Sequence, residues 1–194
     1  MARSATIQRT TTETDVQIVL SLDGSGRAQV ATGVGMFDHL LTSMAMHGLF
    51  DLEARTVGDL HIDEHHTVED TAIALGEAFD GALGTRAGIV RFGHAAVPMD
   101  EALATAAVDA GGRSYAVVSL PFLTPAIGTL GTQMIPHALE AFARSARMTI
   151  HLTATGRNDH HLAEAAFKAL ARALRMAVEP DPRRTGIPST KGTL

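Results

Sequence analysis

The chain has 194 residues, of which 45% are hydrophobic and 19% are charged, with a formal net charge of −5 and no cysteine. This length suits one sizeable core or two packed halves of about 95 residues. The negative charge argues against a nucleic-acid or anionic-membrane surface. The lack of cysteine excludes disulfides, thiolate catalysis and zinc-finger chemistry. Because neither a secretory leader pattern nor an apolar run of ~18 residues occurs, we expect a soluble, cytoplasmic protein.

The first half of the chain is predicted to contain strands followed by two helices. Residues 5–22 alternate in polarity and end at a turn cluster, 23–26, and residues 27–34 resume as a second strand. We therefore expect an antiparallel hairpin. Apolar residues at helical spacing predict helices over 36–47 and 65–83, with a strand over 50–56 between them.

The second half repeats this order. Strands are predicted over 95–97, 102–110 and 114–120, although the alanine-rich part of the second also suits a helix. A helix over 133–145, a strand over 148–155 and a helix over 160–178 follow. Both halves are interpreted as strand, strand, helix, strand, helix. We expect one domain made of two structural repeats, about 1–92 and about 93–180, with a substrate-binding tail, 181–194.

One motif, His-His-x-x-Glu, occurs twice, at 65–69 and at 160–164, and each copy opens a predicted helix. The helix before each copy carries a further histidine, His39 in the first half and His137 in the second. Imidazole and carboxylate together suit a first-row divalent cation. A single copy would more often be solvent-exposed charge at a helix start. Two copies in matched positions indicate a duplicated metal-binding half.

Helix geometry predicts how these ligands are shared. Adjacent residues on a helix diverge by about 100°, whereas residues three or four apart share a face. One ion cannot easily bind both histidines of a pair, so we expect each pair to serve two ions. Two sites of three histidines and one glutamate can be built from His39, His65, His66, Glu69, His137, His160, His161 and Glu164. An octahedral shell with room for substrate favours manganese or iron over zinc.

A second group of residues is suited to an anion. Ser189 and Lys191 lie beside Gly192 in a proline-rich, basic tail, and Lys168 follows Glu164 by one helical turn. Arg91 and Arg113 stand next to glycines at predicted strand edges. These residues predict a phosphate-binding group. The alternatives are a disordered C-terminus with incidental charge and, for the two arginines, ordinary surface charge.

Over essentially its whole length, the chain resembles the imidazoleglycerol-phosphate dehydratases, a lyase family of histidine biosynthesis. The resemblance rests on RTTTET at 9–14, FDHLL at 37–41, GDLHIDEHHTVED at 58–70, RFG at 91–93, GRSY at 112–115, GRNDHHLAEAAFK at 156–168 and PSTKG at 188–192. Ala138 and Leu139 replace the Phe-Phe associated with the family, a change that should alter packing rather than metal ligation.

The resemblance implies a fold and a metal centre. The fold is a duplicated α/β (α+β) sandwich like the second domain of ribosomal protein S5, with helices packed against two four-stranded sheets. The cofactor is a pair of Mn²⁺ ions per active site, in a homo-oligomeric shell of 24 subunits with the metals between subunits. One ion would bind His39, His65, Glu69 and His161. The other would bind His66, His137, His160 and Glu164.

The resemblance also implies a reaction, the dehydration of D-erythro-imidazoleglycerol phosphate to imidazoleacetol phosphate. An imidazolate formed at the dimanganese centre would lose hydroxide, and a base would take a proton from the adjacent carbon. By the resemblance, Glu13 serves as acid or base and His47 contacts substrate. The phosphate would be held by Arg91, Arg113, Lys168, Ser189, Thr190 and Lys191.

Two other functions remain open from the residues alone. A non-catalytic metal-binding shell could use the same ligands, although it would have no use for Lys168 and the basic tail. A dinuclear phosphoester hydrolase would more often rely on bridging aspartates, whereas both predicted carboxylate ligands are glutamates, Glu69 and Glu164.

Overall fold

The computed structural model describes residues 3–193; Met1, Ala2 and Leu194, which belong to the predicted first repeat and tail, lie outside them. The first half contains β1 (Ser4–Thr10), β2 (Thr14–Ser21), β3 (Ala28–Ala31), α1 (Gly35–Gly48), β4 (Asp51–Gly58) and α2 (His65–Leu83). The second half contains β5 (Phe92–Met99), β6 (Ala102–Asp109), β7 (Tyr115–Ser119), β8 (Ala126–Ile127), β9 (Leu130–Gly131), α3 (Met134–Ser145), β10 (Thr149–Thr155) and α4 (Asp159–Val178). All four predicted helices are present.

Each half forms one four-stranded sheet, in the order β1-β2-β4-β3 and β5-β6-β10-β7. The two sheets have the same plan. In each, an antiparallel hairpin is extended by a third antiparallel strand, which also pairs in parallel with a short edge strand. The predicted class, a mixed α/β fold with two four-stranded sheets, is confirmed. A short hairpin, β8-β9, is added in the second half.

The predicted pairing at the N-terminus is wrong. Residues 5–22 form two strands rather than one, and β3 lies at the far edge of the sheet, parallel to β4. The Thr11 hydroxyl accepts hydrogen bonds from the backbone N–H groups of Glu13 and Thr14, which makes a tight turn. The run of three threonines conceals this turn because threonine also favours strands. In each half, three strands of the four-stranded sheet therefore precede the first helix.

The four helices form a layer between the two sheets. Helices α1 and α2 pack on the first sheet and α3 and α4 on the second, while α1 packs against α4 and α2 against α3. Alternate residues of β2, Val16, Ile18 and Leu20, are fully buried beneath this layer. Ala138 and Leu139 are also buried, so their departure from the family pattern falls in the packed core.

Two glycines permit close approach between these layers. A Cβ atom at Gly76 of α2 would lie 2.7 Å from the carbonyl oxygen of Phe142 in α3. A Cβ atom at Gly93 of β5 would lie 1.9 Å from the carbonyl oxygen of Ala173 in α4. Side chains at either position would separate the backbones, so the absence of a Cβ sets how closely α3 approaches α2 and α4 approaches the second sheet.

The C-terminal segment is hydrogen-bonded to the segment that connects α2 to β5. The backbone N–H of Gly88 donates to the Gly186 carbonyl at 3.0 Å, and that of Asp181 donates to the Gly88 carbonyl at 2.8 Å. The Arg91 guanidinium donates to the Pro188 carbonyl at 2.6 Å. Within residues 3–193, no helix combines the length and apolar character that a membrane span requires.

Candidate active site

The packing of α2 against α3 brings together His65, Glu69 and His137, which we call the His137 cluster. The three candidate ligand atoms all lie within 4.8 Å of one another. His137 Nε2 approaches Glu69 Oε1 at 3.1 Å, and His65 Nε2 approaches Glu69 Oε2 at 3.8 Å. The His65 and His137 ring centroids are 4.8 Å apart. The ring nitrogens of the two histidines and the Glu69 carboxylate thus lie close together.

The packing of α1 against α4 brings together His39, His160 and Glu164, which we call the His39 cluster. Glu164 Oε2 lies 3.3 Å from His39 Nε2 and 3.1 Å from His160 Nε2. The other carboxylate oxygen, Oε1, accepts a hydrogen bond from Lys168 Nζ at 2.8 Å. The two clusters have the same composition, two imidazoles and one carboxylate, and each draws on one helix from either half of the chain.

Opposing effects act on the Glu164 carboxyl, whose residue is only 9% exposed. Burial raises its pKa, but the hydrogen bonds from Lys168 and His39 outweigh burial and lower the pKa to about 2. The carboxylate is therefore ionised at neutral pH. Nearby, burial lowers the pKa of His47, and the positive charges of Lys168 and Arg172 lower it further. His47 thus belongs to the surroundings of the His39 cluster.

The second histidine of each motif lies outside both clusters. His66 Nδ1 is 3.0 Å from Asp59 Oδ2, and this hydrogen bond is the main cause that raises the pKa of His66. His161 Nδ1 is 2.9 Å from Glu101 Oε2, and this bond helps to lower the pKa of Glu101 to about 2. The ring planes within each adjacent pair are 78° and 82° apart. Adjacent histidines diverge, as helix geometry predicts.

The grouping within one chain differs from the two ligand sets that the family resemblance implied. His39 lies with His160 and Glu164 rather than with His65 and Glu69, and His137 lies with His65 and Glu69 instead. The reason is the pairing of helices, since α1 packs on α4 and α3 packs on α2. Helical periodicity cannot reveal that pairing, because it reports only which face of a helix is apolar.

The residues predicted to hold phosphate are divided between two places. Lys168 is at the His39 cluster. Arg91 makes a bidentate pair with Asp109, at 2.7 and 3.0 Å, and also holds the tail through Pro188. Asp109 ends β6 whereas Glu101, the partner of His161, precedes its start, so about 25 Å of strand separates the two groups. Arg113, Thr190 and Lys191 are exposed and Ser189 is half-buried.

Glu13 lies in the β1–β2 turn, with its side chain half exposed and its Oε2 atom 3.7 Å from His66 Nε2. This turn is held by Thr14, whose hydroxyl donates to Asp70, the residue after Glu69. Asp70 also pairs with Arg9 at 2.7 Å. The turn that carries Glu13 is thereby fastened to the helix that carries the first His-His-x-x-Glu motif.

Sequence reasoning missed four acidic residues around the motifs. Asp59 and Glu101 bind the second histidines, while Glu64 and Asp159 immediately precede the first ones. Glu64 accepts a hydrogen bond from the backbone N–H of Gly131, and Asp159 accepts from those of Leu123 and Thr124. The signal was an acid before each histidine pair, which extends the repeated motif by one residue.

Both clusters suit a divalent metal ion. His137 Nε2 is buried and has no hydrogen-bond partner among residues 3–193, despite its proximity to Glu69. A buried ring nitrogen without a partner is costly unless it binds something. Imidazole nitrogens with one carboxylate form a donor set typical of first-row divalent metals. The residues present therefore fit such an ion in each cluster.

Fold and site together define a class of protein, a duplicated α/β sandwich with paired histidine–glutamate groups suited to divalent metals. A family model described as imidazoleglycerol-phosphate dehydratase matches residues 32–174. The chain therefore belongs to the imidazoleglycerol-phosphate dehydratases, the hydro-lyases that act in histidine biosynthesis. The resemblance seen in the sequence motifs is confirmed.

Individual relatives agree with this assignment. The chain is 59% identical to the imidazoleglycerol-phosphate dehydratase of Chloroflexus aggregans, over 100% of this chain and 95% of the relative. It is 57% identical to that of Gluconacetobacter diazotrophicus, over 100% of this chain and 98% of the relative. The crystal structure of the Staphylococcus aureus dehydratase superposes with a TM-score of 0.83 at 32% identity, covering 92% of this chain and 99% of that one.

Proposed function

We propose that this protein dehydrates D-erythro-imidazoleglycerol phosphate to imidazoleacetol phosphate at a dimanganese centre, in the cytoplasm. The observation that carries the proposal is the presence of two matched metal-binding groups, the His137 cluster and the His39 cluster, within a chain of this family. Lys168, at the His39 cluster, adds a positive charge suited to an anionic substrate. A protein that only stored metal would have no use for that cation.

The two clusters are proposed to bind one Mn²⁺ ion each. When bound, the ions would supply Lewis acidity toward the ring nitrogens of the substrate. Each cluster holds three ligands, and His66 and His161 would complete the two shells of three histidines and one glutamate. Both of these histidines lie outside the clusters of their own chain. We therefore propose that a neighbouring subunit supplies them.

The same reasoning supports active sites between subunits, whereas the proposed number of 24 subunits rests on the family resemblance alone. The basic tail lies about 25 Å of strand away from the His161 end of α4. A phosphate bound by Ser189, Thr190, Lys191 and the exposed Arg113 of one copy would meet the metal groups of another copy. Arg91 would hold the tail in place through its bonds to Asp109 and Pro188.

Two bonds of the substrate break in the reaction. The hydroxyl on the carbon beside the ring leaves, a proton is lost from the next carbon, and the enol so formed tautomerises to the ketone. Glu13 is proposed to move one of these protons, since its carboxylate is half exposed and lies beside His66. His47 is proposed to contact the substrate next to Lys168.

The decisive experiment combines purified protein, Mn²⁺ and imidazoleglycerol phosphate and measures imidazoleacetol phosphate. We expect product formation that requires the metal. A fully metal-loaded protein that forms no product would contradict the proposal and favour a binding role. Glu13→Gln should retain metal and phosphate binding while losing turnover, because an amide cannot accept the proton. Unchanged turnover in that variant would remove Glu13 from the mechanism.

A further inference from the structure

Asp59 and Glu101 are hydrogen-bonded to the Nδ1 atoms of His66 and His161, the second histidines of the two motifs. Asp59 places both oxygens near His66 Nδ1, at 3.0 and 3.2 Å, and Glu101 places Oε2 2.9 Å from His161 Nδ1. The two carboxylates come from unrelated places in the repeat. Asp59 follows β4, whereas Glu101 lies in the turn between β5 and β6. The same contact is thus built twice by different loops, so the duplication alone does not explain it.

The hydrogen bonds of Glu101 allow only one neutral tautomer of the His161 ring. The other oxygen of Glu101, Oε1, accepts from the backbone N–H of Asn158 at 2.9 Å and from that of Arg157 at 3.4 Å. An ionised carboxylate only accepts hydrogen bonds. His161 Nδ1 must therefore carry the hydrogen, which leaves the lone pair of the neutral ring on Nε2. The same argument applies to His66, because both oxygens of Asp59 face its Nδ1 atom.

The contact between Glu101 and His161 is not needed to cap α4. Asn158 already caps α4, since its side-chain oxygen accepts from the backbone N–H groups of His160 and His161. Among residues 3–193, His65 and His160 have no carboxylate hydrogen-bonded to Nδ1; their Nε2 atoms face Glu69 and Glu164 within their own clusters. Among the four histidines of the repeated motif, a carboxylate contact at Nδ1 is therefore confined to His66 and His161, which lie outside the clusters.

We propose that Asp59 and Glu101 are positioning residues that hold His66 and His161 as Nδ1–H tautomers, with Nε2 free to bind a metal ion. The inference rests on the proposed function in treating these two histidines as ligands. A histidine that must meet an ion held by another subunit gains from a ring whose orientation and tautomer are set beforehand. Within the described part of the chain, neither Nε2 atom has an acceptor at hydrogen-bond distance, since the carboxylates of Glu13 and Asp100 lie at 3.7 and 3.8 Å.

Glu101→Gln is a sharp test because it reverses the tautomer with little change in shape. The amide oxygen can still accept from Asn158, but the amide nitrogen then faces His161 Nδ1 and donates to it. The hydrogen would move to Nε2 and block the ligand atom. Mn²⁺ affinity, measured by chelator competition on the full chain, should fall ~10- to 100-fold. Asp59→Asn should act in the same way through His66. Glu77→Gln, at an exposed position of α2, is the matched control and should leave affinity unchanged.

A second readout does not depend on metal binding. In full-length protein labelled with ¹⁵N-histidine and stripped of metal, ring nitrogen shifts should show His66 and His161 as Nδ1–H tautomers. Glu101→Gln should shift His161 alone to Nε2–H. Wild-type tautomers in both amide variants, with unchanged Mn²⁺ affinity, would overturn the inference. If the wild-type protein binds no Mn²⁺ but shows these tautomers, the proposed function fails while the positioning role stands. If Glu101→Gln does not fold, Asp59→Asn decides alone.

Discussion

The surroundings of the His137 side chain indicate its role in the His137 cluster. Its Nε2 atom is buried, lies close to Glu69, and has no hydrogen-bond partner among the described residues. Buried polar atoms are normally paired with a hydrogen-bond partner or a cation. A divalent cation bound at the His137 cluster would supply such a partner.

Replacing His137 by alanine should therefore weaken metal binding by more than the ~10- to 100-fold that loss of an outer partner causes. The stability of the metal-free chain should change little, because no existing hydrogen bond is lost. Calorimetric titration with Mn²⁺ measures the first effect, and thermal unfolding measures the second. His151→Ala, at an exposed position of β10, is the control. Equal Mn²⁺ affinity in both variants would remove His137 from the ligand set.

Asp51 provides a pH-dependent contribution to stability outside the two histidine clusters. The hydrogen bond from Arg27, followed by those from the backbone of Ser25 and Arg27, holds the pKa of Asp51 well below its ordinary value. A carboxyl with a lowered pKa stabilises the fold above its unfolded pKa and loses that contribution as the pH falls toward its folded pKa. The wild-type protein should thus lose part of its stability in acid through this turn.

Asp51→Asn should unfold at a lower temperature than wild type at neutral pH, and the difference should shrink as the pH falls below the ordinary aspartate pKa. Melting temperatures measured across that range test the prediction. Glu53→Gln, an exposed position two residues along the same strand, should show no such convergence. A constant difference between Asp51→Asn and wild type at every pH would contradict this assignment.

The packing of the helices determines which histidines and glutamates lie together. Each cluster lies where a helix of one half packs on a helix of the other, and Gly76 lets α2 and α3 approach almost to backbone contact. Such a crossing is sensitive to a single side chain, because close-packed interiors do not absorb added volume freely. The distance between Glu69 and His137 therefore depends on a residue two turns further along α2.

Gly76→Val should destabilise the protein by about 1–3 kcal/mol through overpacking and should also weaken Mn²⁺ binding by moving His137 away from Glu69. Gly81→Ala is the control in the same helix. An added Cβ there meets only Ala5 at 3.4 Å, so it should raise stability by about 0.5–1 kcal/mol. Denaturant unfolding and metal titration measure the two effects. Normal metal affinity in a destabilised Gly76→Val protein would show that the cluster tolerates displacement of α3.

Helix boundaries followed closely from the sequence, because apolar spacing and the motifs are local signals. The helix predicted over 65–83 has the same bounds as α2. The helix predicted over 160–178 begins one residue later than α4 and ends at the same residue. Strand pairing did not follow, because the partner of β3 is β4, beyond the whole of α1. The contact between His39 and Glu164 within one chain did not follow either, since the two residues belong to opposite halves of the chain.

The assembled protein should reveal whether its sites are shared between copies. In a single chain, the His161 end of α4 and the basic tail lie at opposite ends of β6. If both serve one substrate, each site takes its metal group and its tail from different subunits. Mixed assemblies of two defective variants should then contain some intact sites.

Glu164→Gln lacks a cluster carboxylate, and Lys191→Met lacks a tail cation, so each alone should be nearly inactive. Co-refolding the two at equal amounts should restore turnover, since roughly a quarter of randomly formed sites would draw both intact parts from different copies. Each variant refolded alone provides the baseline. Activity of the mixture equal to that baseline would place the whole site within one chain.

The amino-acid sequence alone was sufficient to recognise the repeated His-His-x-x-Glu motif, the positions of the helices and the family. These are local or repeated patterns, which can be recognised without knowledge of the tertiary contacts. Only the tertiary structure assigned His39 to Glu164 and His137 to Glu69, paired β3 with β4, and revealed Asp59 and Glu101 behind the second histidines. Each of these is a contact set by how helices, strands and loops pack, and no periodicity along the chain records it.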